Sequence, residues 1–594
     1  MKKHTWLLVI GLLLVLVGTF LPRGWYDSLP RSESDLGWLA RSDVAPPEAA
    51  LPPPPIKGVT LLQIAFVLEG LLFLWLAWKR WTFTRLKADE LLPAGELENE
   101  SNNRRHLALW LLVAITILGL VLRLVGLNSD LWLDEVVTVL LYSPMPVLHV
   151  VTSYINSNSH LLNTLLIKLS VGVFGVQAWS VRLPAVLFGA ATIPVIYWVA
   201  RFALSRWASL CAALLLAVSY HHIFFSQNAR GYSAYLFFSL ISSGLLVKGL
   251  QEDQPHIWML YILTMFLNFA ALLNSGFVFA SHLIVGGLAL YVVRRRGASP
   301  LPLMQRLIAV FAVTGFLVFH LYATILPQVY VYSRTVYKEP AVGFNPFSLE
   351  FLQELIRGLS AGFGPALLLA IVPILIVAAV GFIVLFRRQW ALTLALSLPG
   401  VLTAIFLLAQ GLTFSPRFFL LGLPFGVIVG VQGIDSTTRF VIQKLGINAE
   451  VFAPKTAMAL VLLGAIVSLS TLRHYYAVPK QPYRASLEYI AAERKPGEII
   501  VGIHLIEKGY RFYGKAFGFE ENRDWFSVRS VAELDRVLSS HRAKENILVT
   551  TFPRALRLSY PDLYQRISEG WVQAETFPAT IGDGEITVWR QHQH

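Results

Sequence analysis

Long apolar runs separated by short polar breaks make up most of this chain. The runs at 5 to 21, 59 to 78, 107 to 127, 183 to 200, 207 to 225, 232 to 250, 257 to 274, 276 to 293, 307 to 326, 364 to 386, 390 to 410, 417 to 434 and 456 to 472 are of similar length. Each holds about 17 to 22 residues, enough for a helix to cross a hydrocarbon core of ~30 Å. A helix is also the form in which such a run pairs its own backbone polar groups away from water. The pattern predicts an all-α polytopic membrane protein with about thirteen transmembrane helices.

The pattern changes near residue 473. "EIIVGI" (498 to 503), "NILVTT" (546 to 551) and "EITVWR" (585 to 590) read as strands. "YRASLEYIAAER" (483 to 494) and "VAELDRVLSSH" (531 to 541) have helical periodicity, and "KPGE" supplies a turn. Three parts follow: an N-terminal two-helix extension (1–106), a transmembrane domain (107–472) and a small α/β domain (473–594). The last, at roughly 120 residues, is large enough for one core and reads as a scaffold rather than a second active site. Within the extension, residues 22 to 57, with Pro46, Pro47 and Pro52 to Pro55, read as an extended linker. Lys2 and Lys3 before a short apolar run also describe a signal peptide, but no small-residue cleavage site lies around Gly18 to Trp25, so an uncleaved first helix is expected.

Composition agrees with the pattern: 55% of residues are hydrophobic and 14% charged, outside the range of ordinary soluble proteins. Charge then orients the chain. Lys79, Arg80, Arg104, Arg105, Arg201, Arg206, Arg294 to Arg296, Arg306, Arg387, Arg388, Arg439 and Lys444 all fall in breaks on one side, which the positive-inside rule makes cytoplasmic. The net charge of +13 is thereby spent on orientation, and nucleic acid is not an expected partner. The multi-pass protein is placed in the cell membrane, with the Asp134 loop, the "SQNARGY" and "SPRF" junctions, the 327 to 363 loop and the C-terminal domain extracytoplasmic. The single cysteine, Cys211, lies in an apolar run, which excludes internal disulfides and thiolate metal sites. No GxxxxGK[ST] phosphate-cradling loop and no GxGxxG after a strand is present.

Polar residues concentrate at the outer interface, as in a membrane enzyme with a lipid substrate, rather than within the spans, as in a transporter. The exception is Glu69, an acid deep in a span with no assigned role. Outside, "NSDLWLDEVV" carries the adjacent acids Asp134 and Glu135; a short apolar helix bearing Lys168 reads as interfacial. "WSVRLP" and "FFSQNARGYSAY" add Arg182, Arg230 and Tyr232, and "LTFSPRFFL" adds Arg417. A carboxylate within reach of an acceptor hydroxyl can take its proton, and guanidinium groups hold a departing phosphate. With no nucleotide sugar outside the cytoplasm, the donor must be lipid-linked, and the reaction that fits is glycosyl transfer from a polyprenyl phosphate. Arg123 and Arg182, at the mouths of spans, are expected to snorkel to headgroups. A lipid-linked sugar transporter, or a relative that binds lipid without chemistry, remains the alternative.

The ordered set "LWLDEVVTV", "NSHLLNTLLIKL", "RLPAVLFGAATIPVIYWVAR", "HHIFFSQNARGYSAY" and "PRFFLLGLP" resembles the GT-C membrane glycosyltransferases, in particular bacterial relatives of the protein O-mannosyltransferases (glycosyltransferase family 39) and the lipid A aminoarabinose transferases. The resemblance covers roughly 107 to 435, and "KQPYRASLEYIAAERKPGEIIV" extends it into the last domain. It implies that Asp134 is the base, with Glu135 as support. His160 in "SHLLN" matches the polar residue of an HPPL-like segment whose Pro-Pro is absent here. Arg230, Tyr232 and Arg417 match positions that would face the lipid phosphate. The implied reaction moves a hexose or pentose, with inversion, to a glycan, lipid or protein acceptor. No cofactor is called for; a divalent cation is left open, since no ligand cluster exists beyond the acid pair. In the 327 to 363 loop, Tyr330, Tyr332, Arg334 and Tyr337 fit either a substrate cover or an interfacial aromatic belt.

Overall fold

The computed structural model describes residues 5–27, 29, 56–78, 86–87, 90–92, 102–156, 158–335, 349, 353, 366–410, 416–541 and 546–591. Pro46, Pro47, Pro52 to Pro55, Lys79, Arg80 and Tyr337 therefore lie outside the described residues.

Among the described residues, eight helices are long and apolar enough to cross a membrane, or nine if Arg206–Val218 and Tyr220–Ser226, bent by 59° at Ser219, form one span. Ser219 makes that bend by capping the second helix, its hydroxyl accepting from the His222 N–H. The expected count of about thirteen is not reached, for two physical reasons, length and charge. Thr5–Phe20 and Pro255–Ala271 have only 16 and 17 residues, about 24 to 26 Å of helix. The expected runs 364 to 386 and 390 to 410 are both present in Ala366–Gln410, which non-helical backbone at Gln389 (φ −149°, ψ 66°) divides into two helices meeting at a kink. The run 417 to 434 lies in Gly422–Lys444, whose final turns carry Asp435, Arg439 and Lys444.

Thr5–Phe20 and Gly58–Trp78 pack at their glycines, where a Cβ on Gly11 would meet the Gly70 carbonyl at 2.8 Å and one on Gly18 the Gln63 carbonyl at 2.8 Å. Without a hydrophobic drive in lipid, such close backbone approach is what holds a pair together. This extension is fastened to the rest. The Tyr26 hydroxyl donates to the Thr324 carbonyl (3.0 Å), Leu92 N–H to the Leu250 carbonyl (2.9 Å), and Glu69 faces His320 Nδ1 of Leu301–Tyr322 at 3.3 Å.

The arginine-bearing breaks converge at one end of the bundle. Arg306 pairs with Asp253 at 2.8 Å, and Arg296 and Arg388 donate to the Leu91 and Ala203 carbonyls at 3.2 and 3.5 Å. At the other end the acid loop meets the C-terminal domain. That domain is a five-stranded sheet of β1 (Ile500–Ile503), β2 (Trp525–Val528), β3 (Ile547–Thr551), β4 (Trp571–Phe577) and β5 (Ile586–Gln591), in the order β2-β1-β3-β5-β4. β1 runs parallel to β2 and β3, while β5 is antiparallel to β3 and β4. The three expected strands are β1, β3 and β5. Buried faces of β1, β3 and β5 join Tyr483, Tyr510, Tyr513 and Trp525 in a core that continues into Leu131, Val136 and Val139 of the acid loop.

Candidate active site

The chain leaves Asn102–Leu124 through a left-handed turn at Gly126 (φ +66°), where a side chain would be strained. The loop then enters the short helix Leu133–Val137, which contains both acids. Adjacent in sequence, the two carboxylates have different surroundings.

Glu135 is wholly buried, and its oxygens are fully occupied. Oε1 accepts from Arg182 Nε (3.0 Å) and the Ala229 N–H (2.8 Å); Oε2 accepts from Arg182 Nη2 (2.6 Å) and the Trp132 N–H (3.2 Å). Lys480 Nζ lies 3.8 Å from Oε1. Burial alone would push the carboxyl up; Arg182 and Lys480 outweigh it and hold it below its usual range. Burial likewise pushes the Lys480 ammonium down to about 7, with Glu135 opposing that effect and Arg182 adding to it. Arg182 also donates to the carbonyls of Leu127 (2.9 Å), Ser129 (2.9 Å) and Asp130 (2.8 Å), so one guanidinium wraps the loop.

The expectation that Arg182 and Arg123 reach lipid headgroups is overturned. Both side chains are fully buried. Arg123 donates to the Gly119 and Ala217 carbonyls (2.5 and 3.1 Å) and the Ser226 hydroxyl (3.2 Å), and contacts His222 Nδ1 at 2.6 Å. Both serve protein oxygens that no lipid could satisfy. Lys168 donates to the Ser143 carbonyl at 2.9 Å.

Asp134 keeps 20% of its side chain exposed and is the acid that remains open to a substrate. Its Oδ2 accepts from Arg230 Nη1, and Asn158 Nδ2 approaches Oδ1 at 3.4 Å. Arg230 Nε donates to His160 Nε2 at 2.9 Å, and its guanidinium lies 5.3 Å from the Tyr232 ring centre and 6.0 Å from that of Trp132. The His160 ring is 5.8 Å from Tyr232. Because arginine only donates, Nε2 must carry the lone pair, leaving the proton of the neutral ring on Nδ1. Burial first, then the charges of Arg230 and Arg417, hold His160 well below its ordinary value, which keeps it neutral. Arg417 itself is exposed on the turn Pro416–Phe419, 5.3 Å over the Phe418 ring, and close enough for its charge to act on His160.

The structure thus brings Asp134, His160, Arg230 and Tyr232 into contact and sets Arg417 nearby, while Glu135 lies behind them as a strut. By holding Ala229 N–H, Glu135 fixes the residue next to Arg230. Among the described residues no group of three or more His, Cys, Asp or Glu is placed to hold a metal ion. The acid pair does not fit a divalent cation either, because hard cations need several free oxygens and Glu135 has none left. Sequence reasoning missed Trp132, Asn158, Lys480 and Gln481. The side chain of Gln481 accepts from the Leu133 N–H at 2.9 Å. Tyr332 packs edge-on against Tyr154, 5.4 Å between ring centres, and Tyr330 is exposed.

Residues 157–320 match the profile of a family described as dolichyl-phosphate-mannose-protein mannosyltransferase. The match takes in His160, Arg182, Arg230 and Tyr232, and agrees with the resemblance that the motifs carry. No curated protein sequence matches the chain. Among solved structures it is similar to the archaeal oligosaccharyltransferase AglB of Archaeoglobus fulgidus, in complex with an inhibitory peptide and a dolichol-phosphate, at 12% identity and a TM-score of 0.48, over 77% of this chain and 70% of that one. It is also similar to ArnT from Cupriavidus metallidurans. The apo form gives 14% identity and a TM-score of 0.45, over 82% of this chain and 98% of that one. The form bound to undecaprenyl phosphate gives 14% and 0.43, over 80% and 97%.

Proposed function

We propose that this protein is a membrane glycosyltransferase that moves a sugar from a polyprenyl-phosphate donor to an acceptor on the extracytoplasmic face. The observation that carries the reading is the partly exposed Asp134 held against Arg230, with neutral His160 and Tyr232 alongside. The outward orientation rests on the arginine-bearing breaks gathered at the opposite end of the bundle.

Asp134 takes the proton of the acceptor hydroxyl or amine as that atom bonds to the anomeric carbon. The bond from that carbon to the phosphate oxygen breaks on the opposite face, and the polyprenyl phosphate leaves with the electron pair, giving inversion. A phosphate leaving group needs no protonation, so one carboxylate suffices, unlike the pair in soluble glycosidases. Arg230 has two partners in turn. Without substrate it neutralises Asp134; a donor phosphate beside it competes for the guanidinium, and a carboxylate released from its cation is a stronger base. Arg417, exposed and near His160, supplies a second cation for the phosphate.

The test uses purified protein with a panel of polyprenyl-phosphate sugars and acceptors, reading release of polyprenyl phosphate. Wild type turns over, Asp134→Asn loses about 10²- to 10⁴-fold in kcat, and Arg417→Ala raises the donor KM. An Asp134→Asn variant as active as wild type overturns the assignment.

A further inference from the structure

The C-terminal domain is more than an attachment. Residues 480 to 484, "KQPYR", join the transmembrane helix Ala449–Ala477 to the domain's first helix, Tyr483–Glu493, and meet the acid loop in reverse order. Lys480 lies 3.8 Å from Glu135, Gln481 Oε1 accepts from the Leu133 N–H (2.9 Å), and Arg484 meets Asp130 with its N–H (2.8 Å) and its guanidinium (3.4 Å). The hydroxyl of Tyr513 accepts from the Leu131 N–H at 2.7 Å. Three consecutive loop amides, at Leu131, Trp132 and Leu133, are thus taken by the side chains of Tyr513, Glu135 and Gln481. Two of the three come from beyond residue 480.

Gln481 reaches both ways. Its Nε2 donates to the Thr551 hydroxyl at 2.9 Å, at the end of the central strand β3. It is wholly buried, so neither of its bonds is exchangeable with water at little cost. Tyr483 lies between, stacked on Tyr513 at 5.7 Å, with the charges of Asp134 and Asp130 both acting on its hydroxyl.

We propose that the external domain sets the position of Asp134, with Gln481 as the positioning residue that ties β3 to the amide preceding the base. The proposal rests on the glycosyl-transfer reading for its kinetic consequence but not for its structural one. A loop held by its amides keeps the carboxylate within a near-attack distance, and a displacement of about 1 Å is enough to cost ~100-fold in rate.

Two measurements on the full-length protein in detergent test this. Gln481→Met removes both hydrogen bonds at similar length, and Tyr513→Phe independently removes the Leu131 acceptor. The expected result is a fall in kcat of about 10- to 100-fold for polyprenyl phosphate release with donor KM within about twofold. Amide hydrogen exchange should also quicken at 131–133 while β1 and β3 stay protected. Folded variants with wild-type exchange in the loop and wild-type kcat overturn the proposal, as does a loss confined to donor KM. If wild type itself shows no turnover, the glycosyl-transfer reading fails, and the exchange measurement still decides whether Gln481 holds the loop.

Discussion

Arg182 carries the heaviest single load in the site, and Arg182→Met measures it. With five N–H groups the guanidinium reaches six acceptors, two on Glu135 and four in the Leu127, Ser129 and Asp130 segment, from a side chain 1% exposed. Removing one member of a buried pair costs ~3–5 kcal/mol, because the other charge is left without its partner in a medium that does not solvate it. Glu135 keeps two backbone N–H groups and Lys480 at 3.8 Å, which places the expected loss at the lower end, about 3 kcal/mol. Glu135→Gln combined with Arg182→Met removes both charges, so the double variant should lose less than the two single variants together, with a coupling of about 2 kcal/mol. The assay is urea unfolding of the detergent-solubilised protein followed by tryptophan fluorescence, run as a double-mutant cycle. Arg182→Met within about 0.5 kcal/mol of wild type, or strict additivity in the cycle, refutes the view that this pair holds the acid loop.

Two further outcomes follow from the geometry. The folded protein keeps His160 neutral well below the ordinary value of 6.5, so as pH falls through about 6.5 the unfolded chain takes up a proton that the native one refuses, and stability drops. His160→Gln should flatten that acid-side slope by up to ~1.4 kcal/mol per pH unit; an unchanged slope between wild type and variant would show that His160 is not held neutral. Gly509 lies against the Tyr483 ring with no room for a Cβ, so Gly509→Ala should displace Tyr483 and lower both the thermal transition and kcat. An alanine variant with wild-type values of both would place the ring elsewhere.

The parts of the site that one motif carries were legible in the sequence. Asp134 stands in "LWLDEVV" and Arg230 in "SQNARGY", and the structure pairs them. The partner of Glu135 was not legible, because an arginine at a helix end looks the same whether it faces lipid or protein. Helical periodicity in Ala178–Ala200 does not settle the choice either, since apolar residues surround Arg182 in both cases. Gln481 and Lys480 stand in the "KQPYR" segment, but nothing in it pointed to the acid loop: Leu133 and Glu135 are hundreds of positions away in sequence. In the C-terminal domain the apolar strands β1, β3 and β5 were legible. β2 is buried but has only four residues, directly after the charged "EENRD", too few for an apolar run to stand out, and β4, "WVQAETF", is an edge strand with most side chains in solvent, so it lacks the buried pattern that marks a strand.

The contacts of Leu133 with Gln481 and of Leu131 with Tyr513 join positions 348 and 382 apart. Synthesis runs from the N-terminus, so the acid loop leaves the ribosome early and gains two of its three amide partners only when the last fifth of the chain has emerged. Long-range contacts of this kind close late, after the elements between them have formed. A chain that ended between residues 477 and 480 would keep both acids and the helix Ala449–Ala477, yet lack the partners of the Leu131 and Leu133 amides. On the proposed glycosyl-transfer reading, the order of translation delays reactivity towards a lipid carrier until Gln481 and Tyr513 have been made.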